Sequence, residues 1–200
     1  MMPMIYIHIP MTPQNYPQPT LPELHGRFAA LEALRADGPD PERKAGLMLF
    51  GQFVGEWLMD VSFFQPDGKL IRNFQADWVF SWILQGRAIQ DVLMHPCREE
   101  RAQNPNAPLK SGSTIRYYDH EQDLWPVVWI GPESNTYVSL IGRKNGDGIL
   151  VEGPDTDGSP MQWIFSDITP KTFRWRGMTS KDGGKTWFME QEMFATRRMK

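Results

Sequence analysis

From Gly55 onward the chain alternates apolar and polar side chains, and most of its tryptophans fall on one parity of that alternation. In Trp78-Val79-Phe80-Ser81-Trp82 a ring stands at every second position, and Trp163/Phe165, Phe173/Trp175 and Trp187/Met189 repeat the pattern. A period of two places each set on one face of a β-strand. Consecutive strands with aromatic faces need a shared apolar interior, which a closed barrel or a sandwich supplies. A wall this rich in tryptophan either packs as core or lines a cavity for a flat apolar ligand. Function turns on which.

Candidate strands run over 56–65, 70–84, 87–95, 113–119, 124–131, 135–143, 148–153, 161–168, 172–180 and 186–195. Pro66-Asp67-Gly68, Gln85-Gly86, Asn145-Gly146, Asp157-Gly158 and Asp182-Gly183-Gly184 supply the turns between them. Tight turns between short strands indicate an antiparallel meander, since parallel strands need helical crossovers. The expected fold is all-β: an up-and-down antiparallel barrel of about eight to ten strands, with N-terminal helices. The gap at 96–112 holds Pro96, Pro105 and Pro108, and its length suggests a lid or contact surface.

Three regions are expected. Residues 1–19 carry five prolines and read as an extended arm; its apolar patch, Ile5-Tyr6-Ile7-His8-Ile9, suits docking on a second subunit and so a homodimer. Residues 20–52 should hold helices that pack on the barrel. Thr20-Leu21-Pro22-Glu23 is a capping box; Leu24, Phe28, Leu31 and Leu34 form one stripe, which Asp37-Gly38 ends. Asp40-Pro41 opens a second helix to about 52, with Leu49, Phe50 and Phe53 against the barrel. Residues 53–200 make the barrel.

The chain has 200 residues, 40% of them hydrophobic, enough for a full core. A net charge of −3 and basic runs no longer than pairs such as Arg197-Arg198 argue against nucleic acid. Nothing approaches the roughly 18 consecutive apolar residues of a membrane span. The N-terminus lacks the positive region of a signal peptide, and Cys97 is the single cysteine, which excludes an internal disulfide. A cytoplasmic location is therefore expected.

Gly55-Glu56-Trp57, opening the first strand after a short helix, resembles the G-x-W signature of lipocalin and calycin barrels. The resemblance implies that Trp57 closes the barrel floor, with Arg197 or Arg198 of the last strand stacked on it. Residues 78–91, Thr114-Ile115-Arg116-Tyr117-Tyr118-Asp119 and Phe173-Arg174-Trp175-Arg176-Gly177 are similar to an uncharacterised bacterial lipocalin-like family, over roughly residues 47–198. That implies a fold and no activity. Nitrobindin-like haem barrels are relatives in shape, but their longer glycine-rich opening motif is missing here; no cofactor is expected.

Ser180-Lys181-Asp182-Gly183-Gly184-Lys185-Thr186-Trp187 matches the Asp-box of sialidase propellers. It occurs once rather than blade after blade, so it reads as a hairpin turn in which Asp182 binds turn amides. The histidines show no metal-ligand spacing, and no metal is expected; His95-Pro96-Cys97 lacks a third ligand, and Cys97 lacks a base in favourable contact.

Charged residues inside strands are the remaining candidates. Arg87, Asp91 and His95 share one parity, as do Arg116 and Tyr118, Arg174 and Arg176, and Glu190 and Glu192. With tryptophans inward, most of these face solvent and form weak cross-strand pairs. Residues 87–95 are ambiguous, because Ile89 and Leu93 share the parity of Arg87 and Asp91. If Arg87 and Asp91 point inward, burial requires that they pair, most simply with each other or with Arg116 or Glu190.

Three functions are compatible. In the first, Trp78, Trp82, Trp129, Trp163 and Trp175, with Arg116, bind a small apolar or aromatic molecule inside the barrel. In the second, Arg87, Asp91, Tyr118 and Glu190 make the cavity a cofactor-independent lyase, isomerase or cyclase. In the third, the core is filled and the domain serves dimerisation.

Overall fold

The computed structural model describes residues 21–199, and side chains from residue 28 onward. The arm at 1–19, its patch at 5–9 and the Thr20 capping box lie outside the described residues. Helix α1 spans Leu21–Leu34 and falls almost wholly in a unit distinct from the barrel, with the division after Ala33.

Ten strands follow: β1 Gly55–Phe64, β2 Leu70–Ile83, β3 Ala88–His95, β4 Lys110–Tyr117, β5 Trp125–Gly131, β6 Thr136–Asn145, β7 Gly148–Pro154, β8 Pro160–Ser166, β9 Thr172–Thr179 and β10 Phe188–Arg197. Each pairs antiparallel with its neighbours in sequence, and β1 also pairs with β10, closing the barrel. Trp57 sits at the seam, opposite Trp78 of β2 and Arg197 of β10. Closure leaves no unpaired edge strand. The turn at Gln85-Gly86 is tighter than its sequence demands: Gly86 has φ +77°, and a Cβ there would stand 2.1 Å from the Gly38 carbonyl oxygen. No larger residue fits.

Parity reads correctly through most of the sheet. Trp57, Met59 and Val61, then Ala76, Trp78, Phe80 and Trp82, are buried inside the barrel. One end is filled. Helix α2 (Lys44–Gly51) inserts Leu47 and Phe50, and Phe53 follows, all without exposure. Phe50 meets Trp125 edge-on at 4.9 Å and Phe165 at 5.7 Å, while Phe53 and Trp57 each lie 4.7 Å from Phe173. Such edge and tilted ring pairs add about 0.5–1.5 kcal/mol each beyond area burial. The helix is shorter than expected. Residues 41–43 form a turn, with the Asp40 carboxylate accepting from the Glu42 amide at 3.1 Å.

The floor arginine is Arg197. Its guanidinium lies 4.0 Å from the Trp57 ring and donates to the carbonyls of Val54 (2.8 Å), Gln52 (2.7 Å) and Pro170 (2.7 Å). The Trp57 indole N–H donates to the Phe53 carbonyl at 2.7 Å. Arg198 points elsewhere, to Asp77 and Glu99.

The gap at 96–112, expected as a lid or contact surface, is not wholly loop. Residues Arg98–Gln103 form helix α3, tied to the outer wall through Asp77 of β2. Although Asp77 has the outward parity, it is 1% exposed, because the Arg98 amide (2.7 Å), Arg101 (3.2 Å) and Arg198 (2.7 Å) converge on it. Four carboxylate lone-pair sites let one Asp hold several donors.

Candidate functional site

Packing stops halfway along the barrel. Beyond the aromatic plug the interior opens into a cavity of about 640 Å³ that reaches the end opposite α2. Trp78, Trp129, Trp163 and Trp175 line it, with Leu93, Met161, Phe165 and Met193 between them. Trp163 and Trp175 stand 5.9 Å apart at 52°. Glycines make room for these rings: a Cβ on Gly112 would lie 2.2 Å from Trp129, and one on Gly177 would lie 2.9 Å from Trp175. Volume and lining both suit a small flat ligand.

A polar group sits at the bottom. On β4 the apolar residues Ile115 and Tyr117 face solvent, while Thr114 and Arg116 face inward. Arg116 forms an ion pair with Asp91 of β3, and the two side chains are 2% and 0% exposed. The Trp78 indole N–H donates to the other Asp91 oxygen at 2.7 Å. Arg116 also lies 4.7 Å from the Phe50 ring centroid and 5.6 Å from that of Phe80, and its Nε–H has no hydrogen-bond acceptor. Burial pushes the Asp91 carboxyl above its ordinary range, against the pull of Arg116, and lowers the affinity of Arg116 for its proton.

The mouth is lined by charge of both signs. Arg72 of β2 lies 4.4 Å from the centroid of Phe63 and 5.5 Å from that of Phe74. His95 packs on Phe74 at 4.0 Å, and Lys110 of β4 pairs with it in register. Glu133, Asp155 and Glu190 line the mouth too: Asp155 follows β7 on the far side of the strand order, Glu133 lies in the turn after β5, beside β4, and Glu190 lies on β10, two strands from β2. Glu190 owes its place to a bulge in β10 between Met189 and Gln191, and accepts from the Thr179 hydroxyl at 2.9 Å. Glu192 remains outside, paired with Arg174.

Not every residue singled out by parity lies here. Trp82 belongs to the plug, over Gly51 of α2, where a Cβ would approach its ring to 2.5 Å. Arg87 is in the turn before β3, 60% exposed and paired with Asp40, because strand parity does not extend into the turn. Tyr118 follows the end of β4, packs near Trp125 and donates to Asp123 at 2.8 Å, which raises its phenol above the ordinary range. Both border a smaller outer groove, not the barrel cavity. Arg116 and Glu190 are brought to the cavity, and Asp91 is buried behind its wall against Arg116 and Trp78. The sequence reading passed over Arg72, Phe63 and Phe74, which carry the inward parity of their strands.

No family model matches the chain, and no curated protein matches it. Among solved structures, the S-type phycobiliprotein lyase CPES of Guillardia theta is similar at a TM-score of 0.55 and 12% identity, over 81% of this chain and 99% of that one. A DUF3598-family protein of unknown function from Nostoc punctiforme aligns at 9% identity over 76% of this chain and 99% of its own, with a TM-score of 0.23. The first likeness is one of fold. This barrel is a closed ten-strand antiparallel up-and-down meander with a lipocalin-like fold. No helix among the described residues is long and apolar enough to cross a membrane.

Proposed function

We propose that the barrel binds a small aromatic or apolar molecule in the cavity above the Asp91–Arg116 pair. The observation that carries this reading is the half-filled interior. The plug already buries Trp57, Trp82, Trp125 and four phenylalanines, and the core extends to Trp78 and Trp175, so the half-buried Trp129 and Trp163 are not needed to close the barrel. Aromatic walls left half-covered around empty volume are costly unless a ligand covers them. Arg116 and the Trp78–Asp91 contact give the ligand a polar floor. The similarly folded phycobiliprotein lyase is consistent with a small-molecule role.

Binding is favoured over a cofactor-independent lyase, isomerase or cyclase by the positions of Arg87 and Tyr118. Of the four groups such chemistry would use, only Glu190 lines the cavity; Arg87 and Tyr118 stand outside it and Asp91 is buried behind its wall.

The neutral fluorophore N-phenylnaphthylamine tests the reading. It should quench tryptophan emission in the wild type, and Trp129→Ala should weaken it by roughly tenfold through lost ring contact. Ala76→Phe, which fills the cavity wall, should abolish the signal. Undiminished binding in Ala76→Phe would place the probe elsewhere and end the proposal.

A further inference from the structure

We infer that the ligand is an aromatic anion, held with its flat body in the barrel and its acidic group at the mouth against Arg72 and Lys110. This rests on the cavity-binding reading and adds the ligand's charge and direction.

The floor cannot take the anion. Arg116 is the deepest cation lining the cavity, and Asp91 already neutralises it. A second negative group there would leave an uncompensated charge where burial is nearly complete, and water could not screen it. A neutral carbonyl or ring nitrogen is acceptable at that depth; an acid is not.

The mouth has the complementary arrangement. Arg72 and Lys110 line the cavity, and neither has a carboxylate within ion-pair distance among the described residues. Arg72 is held over Phe63 by its cation–π contact, and Phe63 and Phe74 stack at 6.0 Å and 23°. A guanidinium so placed keeps its N–H edges free for an oxyanion while the rings meet the ligand's body. Asp155 stands opposite in the strand order, and Glu133 and Glu190 bracket the lip, beside β4 and β1 respectively. These carboxylates repel an acidic group from the rest of the rim, which leaves the Arg72 and Lys110 positions between them to receive it. The polarity of the mouth therefore fixes which way round the ligand enters.

Two probes of similar shape separate this inference from the reading beneath it: anionic anilinonaphthalene sulfonate and neutral N-phenylnaphthylamine. The test variant is Arg72→Gln/Lys110→Gln, whose changes are at exposed positions. The double variant should bind the sulfonate roughly five- to tenfold more weakly at low salt, as expected for two exposed charge contacts, with the neutral probe within about twofold. Salt near 0.5 M should reduce the difference, since screening there acts over only about 4–5 Å. If the neutral probe binds but the sulfonate does not, or if the double variant leaves the sulfonate unaffected, the anion does not sit at this lip. If neither probe binds the wild type, the cavity reading falls with it.

Discussion

Asp91 and Arg116 face each other across β3 and β4 with almost no exposure, so each is the other's charge compensation inside an apolar barrel. Removing one partner costs far more than removing both. Asp91→Ala should destabilise the protein by about 3–5 kcal/mol, leaving Arg116 buried without its counter-charge. Adding Arg116→Met should recover most of that loss. Urea unfolding of the two variants and the wild type decides it; a double variant no more stable than Asp91→Ala would mean the pair is not the relevant unit.

Gly55 has φ +128°, and a Cβ on it would stand 2.7 Å from Arg197 Nη1. Gly55→Ala should therefore combine backbone strain with displacement of the floor arginine, at a cost of about 2–4 kcal/mol. Arg197→Met keeps the packing over Trp57 and loses three hydrogen bonds, so its loss should be smaller, about 1–3 kcal/mol. Thermal unfolding measures both. Neutral-probe affinity should stay unchanged, because Trp57 lies in the plug and not in the cavity.

The β9–β10 hairpin carries a carboxylate held at about 2, below its ordinary value, by the Thr186 hydroxyl first, then the Thr186 amide and the Ser180 hydroxyl. A depressed carboxyl contributes stability above its unfolded value and loses it as pH falls through the folded one. The Asp182 contribution should thus be intact above about pH 4 and fade toward pH 2. A carboxyl-carbon NMR titration should find Asp182 near 2 in the wild type and higher in Thr186→Val. An identical midpoint in the variant would show that the hydroxyl is not the cause.

Strand positions were legible because alternation and turn residues are local signals. Trp78, Trp129, Trp163 and Trp175 share one face for reasons written in their own segments. The polar floor was legible only as one of several pairings open to an inward Asp91, because the choice among them depends on register between two strands. On β4 the apolar residues Ile115 and Tyr117 face out and Arg116 faces in, the reverse of the usual pattern, and only its partner Asp91 explains that inversion. Asp77 illustrates the same difficulty from outside: its parity reads as solvent, but arginines from α3 and the C-terminus bury it. Arg87, left ambiguous by parity, stands in the turn because β3 begins one residue later, at Ala88. Glu190 shared parity with Glu192 until a bulge separated them, and bulges leave no dependable mark in a sequence.

The aromatic plug divides labour along the barrel axis. Seam, floor arginine and helix α2 are gathered at one end, while the exposed rim residues Arg72 and Lys110 at the other lie outside the core cluster. Side chains around the opening can be exchanged without disturbing what holds the strands closed. A barrel of this kind is a vessel with a permanent base and a replaceable rim. New ligand preferences could arise by changing a few residues at 72, 110, 129 or 163, in nature or by design, while the same base keeps the chain folded.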